Sequence, residues 1–183
     1  EGNVQAKVSG NYGALISLNC ETDFVAKNED FVKFAGSILD LAIAEKPADL
    51  TALKALSMGG KTVEENVLEQ SGTIGEKLEL AYYDFIQSDF VIEYNHFGNN
   101  LATLVGFNKA DVDLQVAKDV AMQVAAMSPV AVDESDVPAD VIVTVVPSTV
   151  APPPFTLIEF PFNTIWVFSE LVVADTIFLK GCR

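Results

Sequence analysis

Of the 26 acidic residues in this chain, four fall close together in one stretch that also holds one of its two cysteines. "NCETDFVAKNEDF" (residues 19–31) gathers Glu21, Asp23, Glu29 and Asp30 within ten residues, with Cys20 at its start and Phe24 beside Asp23. Closely spaced carboxylates supply hard oxygen ligands, so a magnesium site is one reading of that cluster. Acidic residues also collect at helix starts, where they complement the positive end of the dipole, and that reading needs no metal. Any Ser–His–Asp arrangement would have to use the single histidine, His96, yet no nucleophile elbow is present. Within "EYNHFGNN", where a strand runs into a turn, a partly buried hydrogen-bonding role suits His96 better. "GNYG" and "MGGK" lack the spacing and context of a phosphate loop. Cys20 and Cys182 lie at opposite ends of the chain, which is no disulfide framework, and one histidine makes no zinc spacing. No catalytic residue, cofactor or metal ligand is therefore assigned. Phe24 remains unusual, because strand-to-helix corners are normally polar. Spacing alone favours a ring folded back over the helix start like a staple.

The elements that must carry this stretch can be read from periodicity. Val4, Ala6 and Val8 alternate with polar neighbours, "SGNYG" (9–13) turns the chain, and Ala14, Ile16 and Leu18 alternate again, which is a β-hairpin. After the acidic corner, Asn28 is a suitable N-cap for a helix that buries Phe31, Phe34, Ala35, Ile38, Leu41 and Ala42 and stops at Pro47. Short helices are expected over 48–56 and 62–70, and 75–86 should begin helical and turn strand-like near Tyr82. A second hairpin joins 91–96 to 101–107 through "FGNN". Residues 111–127 form the cleanest helical pattern, a stripe of Val112, Val116, Val120, Val124 and Met127 flanked by Ala117, Ala121 and Ala125. Another helix should begin near Ser135 or Asp136. The class is α+β: a small antiparallel sheet from hairpins packed with helices, followed by an atypical C-terminal segment.

Composition narrows the functional classes. Half of the 183 residues are hydrophobic, enough for a core, and the net charge of −15 argues against binding a phosphate backbone. It permits attraction to a basic patch on a protein partner. Residues 1–12 do not read as a signal peptide, and a reducing cytoplasm is the expected compartment. From Asp119 to Leu179 there is no Lys or Arg, and residues 155–179 are long enough to cross a bilayer. Glu159, Pro161, Asn163, Glu170 and Asp175 interrupt that run, so no membrane anchor is expected.

Three separated segments carry a family likeness. Residues 19–28, "NCETDFVAKN", match the signature Asn-Cys-Glu-Thr-Asp-Phe-Val-Ala-Lys-Asn, and "AKVSGNYGALISLN" before it looks like the hairpin that leads in. "EYNHFGNNLATLVGFNK" is similar to a Tyr-x-His-x-Gly hairpin with its apolar strand, and "AKDVAMQVAAMSPVAVDESDVP" is similar to a segment ending in Asp-Val-Pro. Together they resemble the elongation factor Ts family, the guanine-nucleotide exchange factors of elongation factor Tu, over residues 1 to about 142. The resemblance implies that Asp23 and Phe24 enter the G domain of elongation factor Tu. The ring would wedge between helices near the nucleotide, with the carboxylate close to the magnesium. Thr22, Val25 and Lys27 would shape the corner, and His96 and Gln123 would contact or support the partner. It implies a heterodimer or higher assembly, no nucleic acid, and no bond chemistry.

Three departures accompany the likeness. The family's N-terminal ubiquitin-associated-like domain is expected to fall before Glu1, and Gln123 stands where the family usually has histidine. After Val141 the Pro- and Phe-rich sequence no longer resembles the family. The expected organisation is an N-terminal core subdomain (1–110), a partial second core subdomain (111–142) and a divergent or non-native tail of low order (143–183). The rival reading from another class is an inactive structural fragment of such a factor, and a third is a membrane-tethered or metal-binding protein on the same scaffold.

Overall fold

The computed structural model describes residues 1–129, 131–132, 156–159, 164–167 and 173–180. In chain order the elements are β1 (Gly2–Ser9), β2 (Tyr12–Asn19), α1 (Asp23–Ala26), α2 (Glu29–Glu45) and α3 (Leu50–Ala55). There follow β3 (Ser57–Met58), β4 (Lys61–Thr62), α4 (Val63–Ile74), β5 (Glu79–Gln87), β6 (Phe90–Asn95) and β7 (Leu101–Phe107). The last are α5 (Leu114–Met127), β8 (Thr156–Glu159), β9 (Thr164–Val167) and β10 (Val173–Lys180).

The expected α+β class holds, but the two hairpins lie in separate sheets. β1 and β2 pair with Ser9 opposite Tyr12, around Gly10 at φ 63°, and β5 completes the order β1-β2-β5. The second sheet runs β10-β7-β6, all antiparallel. As the central strand, β2 is buried on both faces. Tyr12, Ala14, Ile16 and Leu18 meet the helices, while Leu15 packs with Val91, Ala102 and Leu104 of the second sheet. The sheets approach closely at Gly13, where a Cβ would lie 2.9 Å from both Leu104 Cδ2 and Val91 Cγ1. A register shift in β5 sets Ser17 opposite Tyr82 but Leu18 opposite Leu80, so Leu80 and Tyr83 both reach the helical core.

Helix α2 follows the periodicity. The Asn28 side chain accepts from the N–H groups of Asp30 and Phe31, and Phe31, Ala35, Ile38, Leu39 and Ala42 are buried. It ends one residue before Pro47, at Lys46 with φ 49°. α4 starts with a capping box between Thr62 and Glu65 and runs past the expected end to Ile74. The expected helical start at residue 75 is incorrect. Gly75, at φ 80°, closes α4, and Glu79 already pairs with Asn19. Strand pairing and burial of Leu80 and Tyr83 override the helical propensity of "GEKLEL".

α5 covers the outer face of the second sheet, and it does so with its alanines. Ala117, Ala121 and Ala125 are the buried row, and Thr103 Oγ1 donates to the Ala121 carbonyl at 3.1 Å. Val116 is exposed, and Val120 and Val124 are only partly buried. Small side chains let the helix settle on β7, so the valine stripe flanks the seam.

The C-terminal stretch, expected to have low order, contributes three strands among its described residues. β8 pairs with β9, and β10 covers the edge that β7 would otherwise leave open, with Val173 opposite Phe107 and Lys180 opposite Leu101. The helix expected near Ser135 and Asp136, and Cys182, lie outside the described residues. Among the described residues no helix is long and apolar enough to cross a membrane.

Candidate functional site

β2 delivers the chain to the corner at Cys20. Its thiol is buried and donates to the Thr22 carbonyl at 3.3 Å, and burial pushes its pKa up, which makes it a poor nucleophile. Thr22 caps the single-turn helix α1, its hydroxyl oxygen accepting from Val25 N at 3.4 Å. One turn of helix is far below the roughly 12–15 residues at which an isolated helix becomes even marginal. Something outside α1 must therefore hold it.

Part of that support comes from below. Val25 packs against the helical core and Ala26 is buried, so one side of the turn is anchored. Phe24 projects from the other side and is 83% exposed, which rules out the staple that spacing favoured. The rest comes from Glu76, just past the C-cap of α4. Glu76 Oε2 accepts from the backbone N–H groups of Glu21 (3.1 Å) and Thr22 (3.0 Å), and Oε1 accepts from the Thr22 hydroxyl (2.5 Å). The Thr22 hydroxyl, followed by these amides, holds the Glu76 carboxyl below the usual glutamate range.

Asp23 faces Lys27 one turn on, with 2.8 Å between Oδ2 and Nζ. That hydrogen bond and charge lower the aspartate pKa and raise the lysine pKa. Both groups are solvent-exposed, so the pair is screened and readily exchanged for another partner. Glu29 and Asp30 lie near Lys33, at 3.6 and 3.7 Å. The acidic stretch thus divides among separate cations, and among the described residues no group of three or more His, Cys, Asp or Glu side chains could hold a metal ion.

Beside Phe24 runs an open groove of about 540 Å³. Phe24, Val25 and Phe31 line one side, and Gln70, Thr73 and Ile74 of α4 line the other. Thr22, Asp23, Phe24, Val25 and Lys27 therefore form one feature on α1 and its caps. His96 and Gln123 do not line the groove. His96 is exposed after β6, not partly buried as expected, with Nδ1 2.9 Å from the Tyr94 hydroxyl. The neighbouring Asn95 bonds to the first sheet instead: its side chain accepts from Ala6 N and donates to Ala6 O. Gln123 is exposed on α5. Sequence reading missed Glu76 and the α4 wall. Gly75 as a helix C-cap was the available signal, since it ends α4 one residue before Glu76.

A family model described as Elongation factor TS matches residues 21–146. Proteins named Elongation factor Ts are similar to this chain. The one from Bacteroides thetaiotaomicron is 51% identical over 142 residues, which is 77% of this chain and 43% of the relative. That from Azobacteroides pseudotrichonymphae is 42% identical, covering 78% of this chain and 52% of the relative. A Janthinobacterium relative is 48% identical, covering 78% of this chain and 48% of the relative. The chain thus spans about half the length of the curated relatives it matches.

Proposed function

This chain belongs to the elongation factor Ts family, and from that premise we propose that it accelerates GDP release from elongation factor Tu by inserting Asp23 and Phe24 beside the bound nucleotide. The observation that carries the proposal is Phe24, 83% exposed on a helical turn anchored from two sides. An apolar ring held in water has its burial still to gain. Seating a phenylalanine fully is favourable by about 1.5–3 kcal/mol. That gain acts on exchange only if the ring's pocket is better formed in the nucleotide-free partner, since a ligand shifts an equilibrium by its differential affinity alone. Asp23 would exchange Lys27 for the neighbourhood of the partner's magnesium, where an added carboxylate disturbs the ion's contacts with the phosphates. The chain makes and breaks no bond in this act. It would work in the cytoplasm as a heterodimer with elongation factor Tu, with no nucleic acid and no membrane involved.

The second reading is a chain that keeps the corner but not exchange. The observation behind it is that the match spans 43% of the Bacteroides relative's length. One assay separates the two: elongation factor Tu loaded with fluorescent GDP, mixed with increasing amounts of this chain. A concentration-dependent rise in release rate supports the proposal, and release at the spontaneous rate supports the inactive fragment.

A further inference from the structure

We infer that Glu76 is a positioning residue, which holds the Asp23–Phe24 corner in its displayed conformation through Thr22. This rests on the exchange-factor reading above. The geometry forms a continuous chain of contacts from one element to the other. Gly75 N donates to the Ser71 carbonyl at 2.9 Å and takes φ 80°, which turns the chain sharply out of α4. Ser71 Oγ then donates to the Glu76 carbonyl at 2.6 Å and accepts from Leu78 N at 3.2 Å, fixing the Glu76 backbone on both sides. From that fixed backbone the carboxylate reaches residues more than fifty positions earlier and takes three hydrogen bonds from Glu21 and Thr22. The Thr22 hydroxyl donates to Glu76 and accepts from Val25, so the last link enters the first turn of α1 itself.

The type of residue suits the task. Two backbone N–H groups and a hydroxyl converge, and only an ionised carboxylate accepts all three as charge-assisted bonds without a donor of its own in the way. Asp23 cannot substitute, since it is engaged with Lys27 and lies inside the turn being held. Glu76 also lines the groove, together with Thr22 and Ile74. Fixing the corner before encounter removes an ordering cost that would otherwise fall on binding.

A positioning role and a contact role leave different kinetic marks. Loss of the tether reduces the fraction of chains with a competent corner, which raises the half-saturating concentration for GDP release and leaves the plateau rate in place. Loss of the wedge lowers the plateau. The test uses the full chain with Glu76→Ala, Glu76→Gln, Thr22→Val and Phe24→Ala, measuring fluorescent GDP release across a concentration series. Hydrogen exchange is followed at the Glu21 and Thr22 amides, with Leu15 and Ile16 as core controls. Expected for Glu76→Ala is faster exchange at Glu21 and Thr22 with unchanged Leu15 and Ile16, and a half-saturating concentration raised about tenfold at near-normal plateau. Thr22→Val should move the same way, and Glu76→Gln should recover part of the loss. Unchanged protection and unchanged half-saturation in Glu76→Ala and Thr22→Val would overturn the inference, as would a lowered plateau with protection intact. If the unsubstituted chain releases no GDP, the exchange reading fails, and the amide data alone still decide whether Glu76 holds the corner.

Discussion

Among the described residues two phenylalanines stand in water, Phe24 at 83% and Phe97 at 95% exposure, and they are supported differently. Phe97 sits on the β6–β7 turn, where Gly98 has φ 88° and Asn99 φ 52°. The stem of that turn is fixed: Asn99 O accepts from Val4 N at 2.7 Å, and Asn95 bonds both backbone groups of Ala6. Those bonds all satisfy β1, an edge strand that would otherwise offer unpaired backbone to water. The turn is held for the sake of the sheet. At Phe24 the contacts run the other way. Glu76, Val25 and Ala26 hold a turn too short to hold itself, and the ring borders a groove whose other wall is α4. Exposure picks out both rings, and only the purpose of the support separates them.

The largest expected break in this comparison is Phe24→Ala. Losing about 2–3 kcal/mol of ring burial at a central contact lowers the plateau GDP-release rate by about 30- to 150-fold. Melting temperature should hardly change, because the ring is not part of the core. A matched pair comes next: Gly75→Ala and Gly98→Ala each force an L-residue into the left-handed region, with nothing within 4 Å of the added Cβ. Each costs about 1–2 kcal/mol of local strain. Release assays should show a several-fold higher half-saturating concentration for Gly75→Ala and an unchanged one for Gly98→Ala. Asp23→Asn should have a smaller effect, seen mainly as a slower association rate with weaker salt dependence in stopped-flow mixing.

The smallest effect is that of acid on the tether. The folded Glu76 carboxyl sits below its ordinary value because of the Thr22 hydroxyl and the backbone amides of Thr22 and Glu21. A lowered folded pKa means stabilisation that is complete above the unfolded value and lost as pH falls through the folded one. The Thr22 amide resonance should therefore hold steady through neutral and mildly acidic pH. It should shift only below the usual glutamate range, and Glu76→Gln should abolish that shift.

What could be read from sequence was local. Asn28 announces α2 because its cap bonds reach only two and three residues ahead, and the β1–β2 hairpin is announced by alternation broken at a turn. The place of the corner was equally legible, as was its likeness to a known signature. The posture of Phe24 was not, because staple and display differ only in where the ring points. Glu76 was invisible for a related reason: its partners lie 54 and 55 residues away, and no periodicity encodes a contact at that distance. On α5, helical spacing identified the apolar side but could not say which row would meet β7. Packing chose the alanines, whose size lets Thr103 reach the helix backbone.

The most direct measurement sets the two rings against each other. Fluorescent GDP release from elongation factor Tu is followed by stopped flow with the unsubstituted chain, Phe24→Ala and Phe97→Ala at equal saturating concentrations. Phe97→Ala should match the unsubstituted chain, while Phe24→Ala should fall close to spontaneous release. Equal rates for all three, or a greater loss at Phe97, would contradict this.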